Sequence, residues 1–172
     1  MFRRIIVAII LITIAIPSFG RQIYVYFTPS YAALDAIISA INSAKSSIDV
    51  AVYDFTSRPL ARAIVKAKER GVKIRVLLDR KANQNKYSKK DFLRSAGIDV
   101  RLAIPHIAWD REGLMHNKFA IIDKRMVITG SANWTASAFR MNDENVIIIN
   151  RRDIANVYEK EFEYLWKRSM LR

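Results

Sequence analysis

From Gln22 onward the chain alternates short β-branched runs with segments of helical periodicity, and that alternation limits the folds open to it more than any other feature. Ile23 to Phe27 reads as a strand. Tyr31 to Lys45 places Leu34, Ile37, Ile38 and Ile41 at spacings of three and four, an amphipathic helix entered through Thr28-Pro29-Ser30. Ile48 to Phe55 is apolar enough to be a buried strand. Ser57-Arg58-Pro59 then opens a helix running to Arg70, Gly71 closes it, and Val72 to Leu78 forms the next strand. A βαβ unit of this kind predicts an α/β fold: a mixed, mostly parallel sheet sandwiched between helices.

The remaining segments follow the same rule. Lys81 to Lys90 is polar and reads as an exposed loop, followed by a short helix (Lys89 to Ala96) and a strand (Ile98 to Ala103). Pro105 to Leu114 shows no period and is expected to be a loop. Met115 to Ile122 and Met126 to Thr129 are strands joined tightly at Asp123-Lys124-Arg125. Trp134 to Arg140 reads as a helical turn and Asn145 to Ile149 as a strand. Asp153 to Lys167 is a closing helix with Ile154, Val157, Phe162 and Leu165 or Trp166 turned inward.

At 172 residues, 51% hydrophobic and 26% charged, the chain has the material for one core, and wholesale disorder is excluded. Cysteine is absent, which excludes a disulfide scaffold, a thiol nucleophile and any Cys-containing zinc module. Ahead of the domain, Phe2-Arg3-Arg4 precedes an apolar run from Ile5 to Ile16, then Pro17-Ser18-Phe19-Gly20. As a helix that run would reach about 18 Å against a hydrocarbon core of roughly 30 Å. Residues 1–20 are therefore expected to be a signal peptide or an N-terminal membrane anchor, and residues 21–172 the domain. Arg3 and Arg4 keep the N-terminus on the cytoplasmic side. Either way the domain is exported, to the periplasm, the exterior or the outer face of the membrane, with membrane association through residues 5–19 in the anchored case.

Lys and Arg number 29 against 16 Asp and Glu, and only Arg3 and Arg4 of that excess belong to the first twenty residues. A folded domain so basic is suited to polyanions, nucleic acid first and an anionic membrane second. The chain holds two histidines, His106 and His116. On a strand, the period of two puts His116 and Lys118 on one face, a nucleophile or proton carrier beside a fixed positive charge, which suits phosphate chemistry. Asp123 has the opposite parity and reads from the residues alone as a turn carboxylate. Downstream, Gly130 permits close backbone approach, and Ser131 and Asn133 supply neutral donors at an expected helix N-terminus, a setting for an anionic oxygen. Trp109 and Trp134 flank these residues and are candidates to stack on unpaired bases. A metal site built from His106, Asp110, Glu112 and His116 has no tight spacing and is opposed by the charge of Lys118, so no metal and no cofactor is expected.

His116-Asn117-Lys118, Asp123, Gly130-Ser131 and Asn133 together resemble the HKD motif of the phospholipase D superfamily, with one copy in this chain. Ala51 to Ser57, Glu69-Arg70-Gly71-Val72 and Leu77-Leu78-Asp79 resemble other segments of the same family. The size is similar to that of its exported or membrane-associated bacterial endonucleases with a single motif. The resemblance implies an α/β/α domain and a two-step displacement without metal. One histidine attacks the phosphodiester to form a phosphohistidine, and a second protonates the leaving oxygen and then activates water. With a single motif, it implies a homodimer in which His116 of each subunit meets at one site. It further implies catalytic roles for His116, Lys118, Ser131, Asn133, Asp123 and Glu144. Lys118, Ser131 and Asn133 would bind phosphoryl oxygens, and Glu144 would orient the histidine. Asn145 matches the family pattern without a derivable role. His106 is the competitor for the second proton-transfer role.

Three functions are weighed on these grounds. A nuclease acting on DNA or RNA accounts for the charge. A phospholipid phosphodiesterase, of phospholipase D or cardiolipin hydrolase type, uses the same motif. A surface protein that captures DNA without cleaving it needs only the charge, and the intact motif argues against it.

Overall fold

The computed structural model describes residues 22–170, so the signal or anchor expected at residues 1–20 lies outside the described residues. The elements are β1 (Ile23–Phe27), α1 (Tyr31–Ser43), β2 (Ser47–Val52), α2 (Arg58–Glu69), β3 (Lys73–Asp79), α3 (Lys90–Ser95), β4 (Asp99–Ala103), β5 (Ile107–Ala108), β6 (Arg111–Glu112), β7 (Lys118–Ile122), β8 (Met126–Gly130), α4 (Ala136–Arg140), β9 (Asn145–Ile149), α5 (Arg152–Lys167) and β10 (Ser169–Met170). Eight strands form one sheet in the order β1-β9-β8-β7-β2-β3-β4-β10. The helix-covered mixed sheet is the expected one, but the balance of pairing differs from a mostly parallel sheet. Parallel ladders are confined to β2–β3 and β3–β4, and the other five are antiparallel. Parallel neighbours need a crossover, and α2 and α3 supply the two that join β2 to β3 and β3 to β4; β7 and β8 are joined by a tight turn that enforces the antiparallel sense.

Side-chain alternation divides the core between the two faces. Ile48, Val50 and Val52 of β2 point to the larger cluster with Leu34, Ile37 and Ile41 of α1 and Leu60 and Ile64 of α2. Ala51 points the other way, into a smaller cluster with Phe119, Ile121, Phe162 and Trp166 under α5. Val157, expected inward on α5, is exposed, and Ala155 takes the buried position instead. On the α5 face Asp49 is buried and paired with Arg75 at 2.7 Å, which also reaches Glu163 at 2.7 Å. That network holds the guanidinium well above its ordinary pKa, chiefly through the hydrogen bond to Asp49.

Two segments read as loops have more structure than their composition suggested. Residues 105–114 contain the β5–β6 hairpin, with Trp109 and Asp110 in the left-handed region at its tip. The Lys81–Lys90 stretch is anchored by Asn83, which is 1% exposed; its Nδ2 donates to the carbonyls of Tyr53 and Asp79 and its Oδ1 accepts from Phe55 N. Among the described residues no helix is long and apolar enough to cross a membrane.

Candidate active site

The strand directions bring the C-terminal ends of β2, β3 and β8 and the N-terminal ends of β7 and β9 to one edge of the sheet. Ligands of α/β sheets collect outside the carboxyl ends of the parallel strands, and the motif residues gather there. His116 lies two residues before β7, held from two sides. Tyr53 N donates to the Asn117 carbonyl, and Asp79 Oδ2 accepts from Met115 N at 3.0 Å. Asp79 is itself buried, its Oδ1 accepting from Lys81 N and Ala82 N.

The same-face placement of His116 and Lys118 holds, although the strand expected from Met115 begins only at Lys118. Lys118 Nζ lies 3.1 Å from His116 Nδ1 and donates to the His116 carbonyl at 2.7 Å. The Tyr53 ring packs against the imidazole with centroids 4.7 Å apart, and the ammonium sits 5.3 Å from the centre of the same ring. Burial lowers the Lys118 pKa from its ordinary value, partly offset by the charge of Glu144. The contact sets the positive charge of Lys118 against the imidazole, with donor and acceptor roles that follow the ring's tautomer.

Opposite this pair, Gly130 adopts φ of +143°, and a Cβ there would lie 2.2 Å from the Asn145 carbonyl oxygen. Only glycine lets β8 approach β9 this closely. The approach sets Ser131 into a closed set of hydrogen bonds. Its Oγ donates to Glu144 Oε2 at 2.5 Å and accepts from Asn145 N at 3.0 Å and Asn145 Nδ2 at 3.3 Å. Glu144 Oε1 accepts from Asn142 Nδ2 at 3.3 Å. Within one chain, then, Glu144 holds Ser131 and not His116. Asn145, which had no derivable role, closes the set. Asn133 Oδ1 is buried without a hydrogen bond among the described residues. Helix α4 begins at Ala136 with Thr135 as its cap, so Ser131 and Asn133 stand in the connection before it and not at a helix N-terminus.

Two expected site residues are placed elsewhere. Asp123 follows the far end of the five-residue β7, roughly 16 Å from Lys118 at strand rise. There it caps the chain entering β2, accepting from the N–H groups of Lys45, Ser46 and Ser47 and from Ser46 Oγ. Burial would raise its pKa, and those hydrogen bonds outweigh it and hold the carboxyl below its ordinary range. Trp134 is 2% exposed and packs edge-on against Phe55 in the core, so its ring is unavailable to a base. A tryptophan beside a polar turn gives no local sign of which way it faces; the Phe55–Trp134 bridge decides it. His106 Nε2 meets Arg168 Nη1 at 2.7 Å beside α5. Trp109, by contrast, is 95% exposed on the hairpin tip. Of the weighed metal set, Glu112 pairs with Arg80 and Lys81.

Sequence reasoning missed Tyr53, Asp79 and Asn83 as supports of the histidine. The available signal was Asp79, a single carboxylate closing the apolar run through Leu77-Leu78; Asn83 stands in a polar stretch that gives no such sign.

A His-x-Lys pair and a Gly-Ser-x-Asn turn meeting at the carboxyl edge of a helix-covered mixed sheet define a phospholipase D-like domain. The chain belongs to this family: the profile described as "Cardiolipin synthase, PLD-like domain" matches residues 37–166. It is 39% identical over 136 residues to the mitochondrial cardiolipin hydrolase of Homo sapiens, covering 78% of this chain and 51% of that protein. It is 41% identical over 133 residues to a phospholipase D of Rickettsia conorii, covering 77% and 63%. The chain thus spans about half to three-fifths of the length of these curated relatives. Among solved structures it is similar to Nuc, a phospholipase D family member from Salmonella typhimurium, with TM-score 0.79, 30% identity and coverage of 86% and 95%. NucT from Helicobacter pylori gives TM-score 0.80 and 29% identity, covering 87% of this chain and 99% of that one.

Proposed function

We propose that this chain is a metal-independent phosphodiesterase that hydrolyses nucleic acid, DNA or RNA, through a phosphohistidine formed where two copies meet. The observation that carries the reading is the His116–Lys118 pair, 3.1 Å apart, facing the Ser131–Glu144–Asn145 set across one sheet edge. The reaction requires two histidines of opposite protonation. Nε2 of one attacks phosphorus and forms the P–N bond as the P–O bond to the leaving group breaks. The Nε2–H of the other gives its proton to the departing oxygen. That second ring then takes a proton from water, whose oxygen displaces the first histidine and restores it. His106 lines a pocket with Met115 and Asn117 at the same edge, but its Nε2 is engaged by Arg168, and in this reading the second ring is His116 of another copy. Lys118, with Ser131 and Asn133, offsets the charge of the phosphoryl oxygens. Glu144 orders Ser131 and lies close enough to Lys118 to influence its charge.

Nucleic acid is favoured over lipid by the basic surplus and by the near-complete coverage of Nuc and NucT, single-domain chains of matching size. The names of the cardiolipin hydrolase and phospholipase D relatives favour phospholipid as the second reading. Residues 1–20 would export the domain or hold it to the outer face of the membrane. The deciding experiment incubates purified, chelator-treated protein and His116→Ala with single-stranded DNA, duplex DNA, RNA and cardiolipin vesicles. Cleavage of nucleic acid by the parent alone, with an acid-labile phosphoprotein trapped on rapid quench, is the expected result. Loss of activity in EDTA restored by magnesium, or hydrolysis of lipid alone, would refute it.

A further inference from the structure

The basic residues of this chain are not distributed alike. Arg75, Arg80, Lys81, Arg101, Lys124 and Arg151 each have a carboxylate within ion-pair distance. Arg58, Arg62, Lys86 and Lys89 have none among the described ion pairs, yet they are brought together around one concave groove with Ser88 and Phe92. The groove encloses about 370 Å³ and no acidic side chain lines it. Arg58 and Arg62 are exposed, one helical turn apart on α2, while Lys86 and Lys89 arrive from the segment that Asn83 pins down. Clustering four cations without counter-charge costs self-repulsion, which a polyanion relieves. Aromatic surface accompanies the charge: Phe92 is 45% exposed in the groove wall, and Tyr87 is 63% exposed with Lys86 Nζ 5.2 Å from its ring centre.

The groove opens at the sheet edge that carries the site. The Trp134 carbonyl, next to Asn133, accepts from Thr56 N and Ser57 N just before Arg58, and Lys89 N donates to the Phe55 carbonyl. We infer that Arg58, Arg62, Lys86 and Lys89 with Phe92 form an exosite for single-stranded nucleic acid, which leads the strand away from the His116 centre. It rests on the nucleic-acid reading of that centre. Cations spaced along a helix turn meet successive phosphates, and an exposed ring among them stacks on a base that a duplex keeps hidden. A membrane surface is planar and would be met by protruding cations, whereas these line a concavity. Lys81, which the composition of the 81–90 stretch groups with the other lysines, is paired with Glu112, a carboxylate it shares with Arg80, and lies outside the exosite.

The test measures binding in the His116→Ala background, where the strand is not consumed, using a fluorescein-labelled oligothymidylate and anisotropy across a salt series. Replacing Arg58, Arg62, Lys86 and Lys89 together by Gln should flatten the log-log salt slope by about 2 to 3, at roughly 0.7 per phosphate contact. Affinity at physiological salt should fall about tenfold or more. Phe92→Ala should weaken binding by about 5- to 100-fold with the slope retained, as expected for one lost stack. A control replacing the exposed Lys68, Lys73, Lys160 and Lys167 by Gln removes the same net charge elsewhere and should change binding much less. Equal effects of the two quadruple variants would overturn the exosite, as would an unchanged slope. So would loss of cardiolipin-vesicle binding in the groove variant with oligothymidylate binding intact, which would make the groove a membrane contact. The centre is judged separately by cleavage with the parent. If the parent cleaves no nucleic acid while the groove still binds the strand, the proposed reaction fails and the exosite stands. If cleavage proceeds and the groove variant binds like its parent, the exosite alone fails.

Discussion

Asp123 separates what the motif implies from what the fold does with it, and its replacement is the most informative single change. Its carboxylate gathers three consecutive backbone N–H groups, from Lys45 to Ser47, at 2.7 to 3.1 Å, together with Ser46 Oγ at 2.8 Å. Its backbone stands at φ +50° in the turn between β7 and β8. Asp123→Asn retains an acceptor oxygen and a residue tolerant of that conformation but removes the charge, and charge-assisted hydrogen bonds are about twice as strong as neutral ones. A loss of about 1 kcal/mol is expected. Asp123→Ala also removes the acceptor and adds a left-handed backbone cost of roughly 1 kcal/mol, for about 3 kcal/mol in all. Because the folded-state pKa is depressed, the charge-dependent stabilisation is fully present above the ordinary carboxylate value near 3.9 and is lost as pH falls through the folded value below it. The gap between parent and Asp123→Asn should therefore be constant from about pH 5 to 8 and close below about pH 4. Urea unfolding at several pH values reads the stability, and turnover of bis(p-nitrophenyl) phosphate, well below the melting temperature, reads the chemistry. Turnover should stay within about threefold of the parent. Asp123→Asn with parental stability but turnover as low as His116→Ala would refute the structural assignment.

Gly130→Ala should cost about 2 to 4 kcal/mol, because its Cβ would meet the Asn145 carbonyl at 2.2 Å in a backbone conformation only glycine adopts freely. Turnover of the folded fraction should also fall as Ser131 and Glu144 are pushed apart; parental stability in urea would show that β8 and β9 can separate freely. Mixing excess His116→Ala subunits into the parent under exchange conditions should reduce activity in step with the parental homodimer fraction, while His106→Ala keeps most of its activity. Full activity in a demonstrated monomer, or abolition by His106→Ala, would transfer the second proton role to His106.

The residues legible without the structure are those whose role is local. The apolar spacing of Leu34, Ile37 and Ile41 predicts the face that α1 buries, and strand parity predicts that His116 and Lys118 share a side. Both are properties of a backbone repeat within a few residues, so the amino-acid order alone carries them. Gly130 was readable as a close approach, though not as an approach to Asn145. What remained hidden depends on which distant segments meet. Trp134 is core because Phe55, three residues past β2, lies across it, and Asp123 is a cap because β7 and β2 are neighbours. Asn83 turns from a loop residue into an anchor only when the carbonyls of Tyr53 and Asp79 surround it. Total charge was countable from composition. That Lys81 pairs with Glu112 while Lys86 and Lys89 join Arg58 and Arg62 was decided by tertiary packing, since Coulomb interactions depend on distance through space and the chain order does not contain it.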